Sequence, residues 1–176
     1  MKLGLFIIGC ITLLASTVNA ATTKINSIYT SLKEEDCQTT LYDEDLYQAE
    51  CPAKDNYSLQ VFGRDLRYGA SLIYNSHEVN YEPIPPFHVG HTAEWHYEKT
   101  GDSKKYHALI YRIYTAQKDP LNGDTFFLPR EQDKQQLIVI RLNKEQSCLL
   151  GVIEQDRNMN QEARKLADNK SARCIK

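Results

Sequence analysis

Short runs in which apolar and polar residues alternate dominate most of the chain. Successive side chains on a β-strand point to opposite faces, so this period of two indicates strands with one buried face. Turn-forming clusters separate the runs, which is typical of antiparallel sheets. Two runs alternate clearly, at residues 57–61 and 70–74. Further strands are predicted at residues 93–97, 107–114, 137–142 and 149–154, which are rich in residues that favour strands. The sequence therefore predicts an α+β fold built mainly on an antiparallel sheet of about six strands.

The C-terminal region has a helical period instead. Ala163, Leu166 and Ala167 recur at helical spacing, and either Asn158 or Asn160 can cap the helix before them. The small residues on this stripe predict a helix packed closely on the sheet. A second, short helix is predicted further upstream, over residues 24–32, where four apolar residues would share one side.

The N-terminus predicts a secretory signal peptide. Residues 3–15 are almost entirely apolar, and Val18 and Ala20 provide the small side chains that signal peptidases require. We expect cleavage after Ala20, which makes residues 1–20 the signal. A membrane-spanning helix needs about 18 to 20 apolar residues, more than this run contains. Lipid attachment at Cys10 is the alternative, but the apolar stretch before it is shorter than lipoprotein signals usually have.

The remaining residues, 21–176, form a single predicted domain that keeps four cysteines. An even number of cysteines behind a signal peptide indicates disulfides formed in an oxidising compartment. Three pairings are possible. We expect Cys37 with Cys51 and Cys148 with Cys174, because each pair closes a short segment that can fold back on itself. A metal site is disfavoured, since no Cys-x-x-Cys or matched Cys–His spacing is present.

The charge of the chain narrows the range of partners. Its 21 basic and 23 acidic residues give a net charge of −2, and the basic residues are scattered. A phosphate backbone or an anionic lipid surface would require a basic patch. We therefore expect no nucleic-acid partner and no stable membrane anchor after signal cleavage.

Histidines are the most noticeable candidates for chemistry, because four of the five lie within residues 77–96. His88, His91 and His96 are the candidate metal ligands. The first two have a helical spacing, but the surrounding prolines and glycine oppose a helix, and no acidic or Cys ligand has a matched spacing. We therefore expect no metal and no cofactor. Strand alternation places Glu94 beside His96 on one face, which makes a surface site there the alternative.

Catalytic signatures are missing from the sequence. There is no Gly-x-Ser-x-Gly elbow and no glycine-rich phosphate loop, and both disulfides together leave no free cysteine in the domain. The acidic runs Glu34-Glu35-Asp36 and Asp43-Glu44-Asp45 are typical of a solvated surface. No catalytic residue is assigned, and an enzyme is the less favoured interpretation.

The aromatic residues of the chain could serve either to pack the sheet or to bind a partner. Most of the eleven tyrosines that fall on predicted strands are expected to pack a sheet face. Phe87, His88, His91 and Trp95 are the predicted recognition surface for a protein or a glycan, because rigid amphipathic rings bind at a low entropic cost.

Several motifs follow one another along nearly the whole domain. They are Cys37 to Glu50-Cys51-Pro52, Tyr57-Ser58-Leu59, Asp65-Leu66-Arg67, Ala93-Glu94-Trp95, and Asn160-x-x-Ala163-Arg164-x-x-Ala167-Asp168 before Cys174. Together they resemble a group of small exported proteins of Gram-negative bacteria. The resemblance implies a periplasmic location and supports two cysteine pairs. It implies no catalytic residue.

Two functions of different class follow from these observations. The favoured one is a non-catalytic binding or accessory protein of the bacterial envelope, such as an inhibitor, that is periplasmic or secreted. The alternative is an envelope hydrolase or metal-handling protein that uses the segment containing His88, His91 and His96.

Overall fold

The structure is a computed structural model, and it describes residues 24–44, 46–64, 67–79, 88–115 and 134–175. These residues contain ten strands, one 3₁₀ turn at Glu34–Asp36 and one α-helix, α1, at Met159–Asp168. The strands are β1 (Lys24–Ser31), β2 (Gln38–Asp43), β3 (Leu46–Glu50), β4 (Tyr57–Arg64), β5 (Arg67–Tyr74), β6 (His77–Val79), β7 (His88–Thr100), β8 (Ser103–Thr115), β9 (Lys134–Arg141) and β10 (Cys148–Glu154). The signal peptide predicted over residues 1–20 and Phe87 lie outside the described residues.

The strands form two five-stranded sheets. The first sheet has the order β1-β7-β8-β9-β10, and the second has the order β2-β3-β4-β5-β6. All neighbouring strands in both sheets are antiparallel. The mainly antiparallel architecture with a C-terminal helix is confirmed, whereas the described residues contain more strands than the six expected.

The strands that the sequence did not predict lack a clear apolar face. The helix predicted over residues 24–32 is wrong, because this segment forms β1 and pairs along its length with β7. Its buried side is interrupted by the polar Thr30, which hides the period of two. β2 is exposed along its entire length, so no alternation reveals it. β1 becomes a strand by pairing with the distant β7, and β2 by pairing with β3, the next strand along the chain.

The main core lies between the two sheets, where side chains from both meet in one cluster. Leu59 and Leu72 contribute from the second sheet, and Trp95, Ile138 and Ile140 contribute from the first; all five are almost completely buried. Burying one such side chain stabilises the fold by about 1.5–3 kcal/mol. The molecule is therefore a β-sandwich stabilised mainly by the apposition of its two sheets.

The opposite face of the first sheet is covered by α1. The buried side of the helix, which includes Ala163 and Ala167, packs on Ala108 and Val139 of the sheet. A Cβ atom on Gly151 of β10 would lie 2.7 Å from a methyl carbon of Leu166, too close for an ordinary contact. The predicted close packing of the helix on the sheet is confirmed, and it brings the last turn of α1 over β7 and β8.

Both predicted disulfides are confirmed. Cys37 and Cys51 join the start of β2 to the end of β3, and their Cα atoms are 4.2 Å apart. Cys148 and Cys174 join β10 to the tail after α1, with Cα atoms 5.8 Å apart. Such bridges are typical of proteins outside the reducing cytoplasm. In the described part of the chain, no helix has both the length and the apolar character needed to cross a membrane.

Candidate functional site

A cleft of about 440 Å³ opens where the two sheets meet at one end of the sandwich. The turn after β1 and the first residues of β7 form one wall, and β3, β4 and β5 form the other. We call it the inter-sheet cleft. Its position follows from the fold, since the side chains that line it come from strands of both sheets. Its volume is within the range of about 300–1,000 Å³ that is usual for binding sites.

The inter-sheet cleft has an apolar floor and an aromatic rim. Leu32, Val61 and Val89 form the floor and are buried. At the rim, the rings of Tyr68 and His88 are stacked with centroids 5.9 Å apart and planes inclined by 24°. The two stacked rings form a flat surface next to an apolar depression. Such a site suits a ligand that has an apolar group with polar groups beside it.

Charged side chains lie at one side of the inter-sheet cleft. Lys33, Glu34 and Glu35 line it, and the Lys33 ammonium is 3.6 Å from a carboxylate oxygen of Glu35. Burial raises the pKa of Tyr47 above its ordinary value, and the negative charge of Glu34 raises it further. A hydrogen bond with the Thr39 side chain opposes this rise in pKa, so the Tyr47 hydroxyl is protonated and hydrogen-bonded to Thr39 at this wall.

The structure divides the predicted recognition surface. His88 and His91 both line the inter-sheet cleft. Trp95 does not, because it is 0% exposed in the sandwich core, where its indole N–H donates to the hydroxyl of Thr30 at 3.0 Å. The assignment of Trp95 to an exposed surface is therefore wrong. Alternation along β7 turns this side chain inward, and the second sheet covers it.

His96 lies away from the other two candidate metal ligands. As alternation predicts, Glu94 and His96 share one face of β7, and this face lies under α1. His96 meets Asp168 of the helix there, whereas His88 and His91 line the inter-sheet cleft. The three histidines proposed together from the sequence therefore do not form one site.

The residues around His96 form a hydrogen-bonded set that we call the His96 network: Glu94, His96, His107, Arg164 and Asp168. His96 Nδ1 is 2.7 Å from Asp168 Oδ1, and its Nε2 is 3.2 Å from Glu94 Oε1. His107 Nε2 is 3.3 Å from the same oxygen of Asp168. The guanidinium of Arg164 donates to both oxygens of Glu94 at 2.9–3.1 Å. The network thus joins two strands of the first sheet to α1.

Burial and hydrogen bonding shift the pKa values of His96 and Glu94 in opposite directions. Burial alone would lower the pKa of His96, but its hydrogen bonds to Glu94 and Asp168 outweigh this effect and raise the pKa above its ordinary value. Burial alone would raise the pKa of Glu94, but hydrogen bonds from His96 and Arg164 lower it to about 2. The network therefore holds a carboxylate that stays ionised and a histidine that holds its proton more firmly than a free histidine does.

A β-bulge brings His107 into the His96 network. His96 pairs with Ala108 and Tyr97 pairs with Tyr106, so His107 is an extra residue on β8. Bulges redirect side chains in this way and are common beside functional sites. Sequence reasoning placed His107 on a strand but did not connect it with His96 or Asp168. The only sequence signal was that residues 93–97 and 107–114 are successive strands, which often pair.

Comparison of the chain with protein-family models, with curated proteins and with solved structures finds no match. The resemblance to a particular group of exported proteins is therefore supported only by the two disulfide-bonded cysteine pairs.

Proposed function

We propose that this protein is a non-catalytic binding protein of an extracytoplasmic compartment, periplasmic or secreted, that holds part of a partner protein in the inter-sheet cleft. The observation that carries the proposal is the cleft itself, an apolar depression beside the stacked rings of Tyr68 and His88. The location is supported by the two disulfides and by the predicted signal peptide.

The lining of the inter-sheet cleft favours a protein segment over a glycan. The floor formed by Leu32, Val61 and Val89 offers no polar side chain to a sugar hydroxyl, but it suits one apolar side chain of a partner. Around it, the hydroxyl of Tyr47 and the carboxylates of Glu34 and Glu35 can bond the backbone or a basic side chain of the same segment. The disulfide beside β2 and β3 constrains the wall that carries Tyr47. A constrained wall lowers the entropic cost of binding.

Site-specific photocrosslinking tests this proposal. A photoreactive phenylalanine analogue is placed at position 68, and separately at position 42, in the cells that produce the protein. Tyr42 is a matched control because it is the same residue type, is 80% exposed on β2 and does not line the cleft. We expect one defined protein adduct from position 68 and no such adduct from position 42.

The adduct allows a quantitative second measurement. Once the captured protein is identified, Tyr68→Ala should weaken its binding at least about tenfold, the loss typical of an aromatic hot spot. Tyr42→Ala should leave the affinity within about twofold. The cleft is not the binding site if positions 68 and 42 give the same adducts in equal amounts. The same conclusion follows if Tyr68→Ala binds the captured protein as tightly as wild type does. Adducts that contain glycan and no protein would contradict the choice of partner.

A further inference from the structure

We propose that His96, His107 and Asp168 form a binding site for one divalent transition-metal ion, of which Zn²⁺ is the representative. Each residue offers one ligand atom, and these atoms all lie within 4.8 Å of one another. Two imidazoles and a carboxylate are a ligand set that Zn²⁺ takes in proteins. The site lies under α1, on the face of the first sheet opposite the sandwich core, so it is independent of the inter-sheet cleft.

The spacing of the ligand atoms suits a tetrahedral ion. With zinc–ligand bonds of about 2.0–2.1 Å, neighbouring ligand atoms in a tetrahedral site lie about 3.3 Å apart. Asp168 Oδ1 is 2.7 Å from His96 Nδ1 and 3.3 Å from His107 Nε2. A metal ion would be coordinated by the same three atoms that form these two hydrogen bonds.

The surroundings of His96 are those of a metal ligand. Its Nε2 is 3.2 Å from Glu94 Oε1, so a carboxylate holds the proton on that nitrogen. The ion would replace the proton between Nδ1 and Asp168 Oδ1, and that proton would be released to solvent. Arg164 in turn fixes Glu94 through bonds to both carboxylate oxygens. An outer carboxylate that orients a ligating histidine is a recurrent feature of zinc sites and increases ligand basicity. Glu94 is therefore a positioning residue here, not a ligand.

The site is accessible to an ion. His96 is buried, but His107 is 21% exposed and borders a second cavity of about 330 Å³, together with Glu98, Arg141 and Lys170. The buried Nδ1 of His107 has no hydrogen-bond partner within the described residues, so this ring is held only through Nε2. Three protein ligands leave the fourth position to water, the arrangement of zinc sites that are not purely structural.

Zn²⁺ titration tests the proposal. The full protein, stripped of metal with a chelator, is titrated with Zn²⁺ alone and followed by calorimetry and by thermal unfolding. Wild type should bind one ion per chain and melt at a higher temperature with Zn²⁺, because an ion that binds only the folded state stabilises it. His107→Gln and Asp168→Asn should each weaken binding at least about tenfold, since each removes a ligand.

His77→Gln is the matched control, because His77 is an exposed histidine on β6 of the other sheet. It should bind Zn²⁺ as wild type does. Circular dichroism establishes that each variant is folded. If one of the two ligand variants fails to fold, the other carries the same test. The proposal is overturned if wild type takes up no stoichiometric Zn²⁺, or if a folded His107→Gln or Asp168→Asn variant binds as tightly as His77→Gln does.

Discussion

Replacing Glu94 by Gln measures how strongly the His96 network holds α1 on the sheet. The Glu94 side chain is only 12% exposed and bonds both His96 and Arg164. Gln keeps the shape of the side chain and removes the charge. Lowering the pKa of Glu94 from 4.5 to about 2 contributes at most about 3.5 kcal/mol to the free energy of unfolding, at about 1.4 kcal/mol for each pKa unit.

Solvent reduces this upper limit. Arg164 is 48% exposed, so part of its attraction to Glu94 is screened. We expect Glu94→Gln to lower the free energy of unfolding by about 2 kcal/mol, within the range for hydrogen bonds to charged groups. For a domain of this size, that loss corresponds to a melting temperature lower by about 4–8 °C.

Chemical denaturation of four proteins checks the estimate: wild type, Glu94→Gln, Arg164→Gln and the double variant. Because the two side chains share hydrogen bonds, the double variant should lose less stability than the sum of the single variants, with a coupling energy of about 1 kcal/mol. Tyr42→Phe is the control at an exposed position and should stay within about 0.5 kcal/mol of wild type. A coupling energy near zero, or full stability in Glu94→Gln, would refute the reasoning.

The same network gives an expected pH dependence. The pKa of Glu94 is lower in the folded protein than in the unfolded chain, so its ionised form contributes stability that is complete above about pH 4.5. This contribution is lost as the pH falls towards about 2. Denaturation curves collected between these pH values should show a shallower loss of stability for Glu94→Gln than for wild type. Parallel losses would contradict the assignment of the lowered pKa.

Three further predictions concern the fold. Replacing Cys148 and Cys174 by Ser opens a loop whose ends are 26 residues apart and should cost about 3.5 kcal/mol in the chain-entropy model, measured by denaturation of the oxidised and variant proteins. Trp95→Phe leaves a cavity in the sandwich core and removes the donor to Thr30, so it should cost about 2–4 kcal/mol and change the near-ultraviolet circular dichroism. Tyr57→Phe removes the hydroxyl that accepts the Lys144 N–H at 2.6 Å and should cost about 1 kcal/mol, with the melting temperature as the readout.

Strand prediction succeeded where local alternation and burial coincide. Residues 57–61 and 70–74 were predicted from alternation and lie in β4 and β5, both strands of the sandwich core. It failed at β1, where the buried Thr30 interrupts the apolar face, and at β2, which has no buried face. Pairing with a neighbouring strand, not the local pattern, makes these segments strands.

Only some residues of the two candidate sites could be predicted from the sequence. His88 and His91 were recognised as a pair with possible chemistry, but the apolar floor of the inter-sheet cleft comes from three separate strands and turns. Glu94 and His96 were correctly placed on one face of a strand. His107 and Asp168 were not connected with them, because their approach depends on a bulge and on the docking of α1.

Local patterns along the chain were enough to predict the antiparallel sheets, the C-terminal helix, the two cysteine pairs and the face of β7 that carries Glu94 and His96. These features depend on side-chain alternation, helical spacing and loop length, all of which are local along the chain. The burial of Trp95, the cleft between the sheets and the contact of two histidines with an aspartate under α1 became apparent only in the folded arrangement. Each of these depends on register and on the packing of distant segments, which a local pattern does not specify.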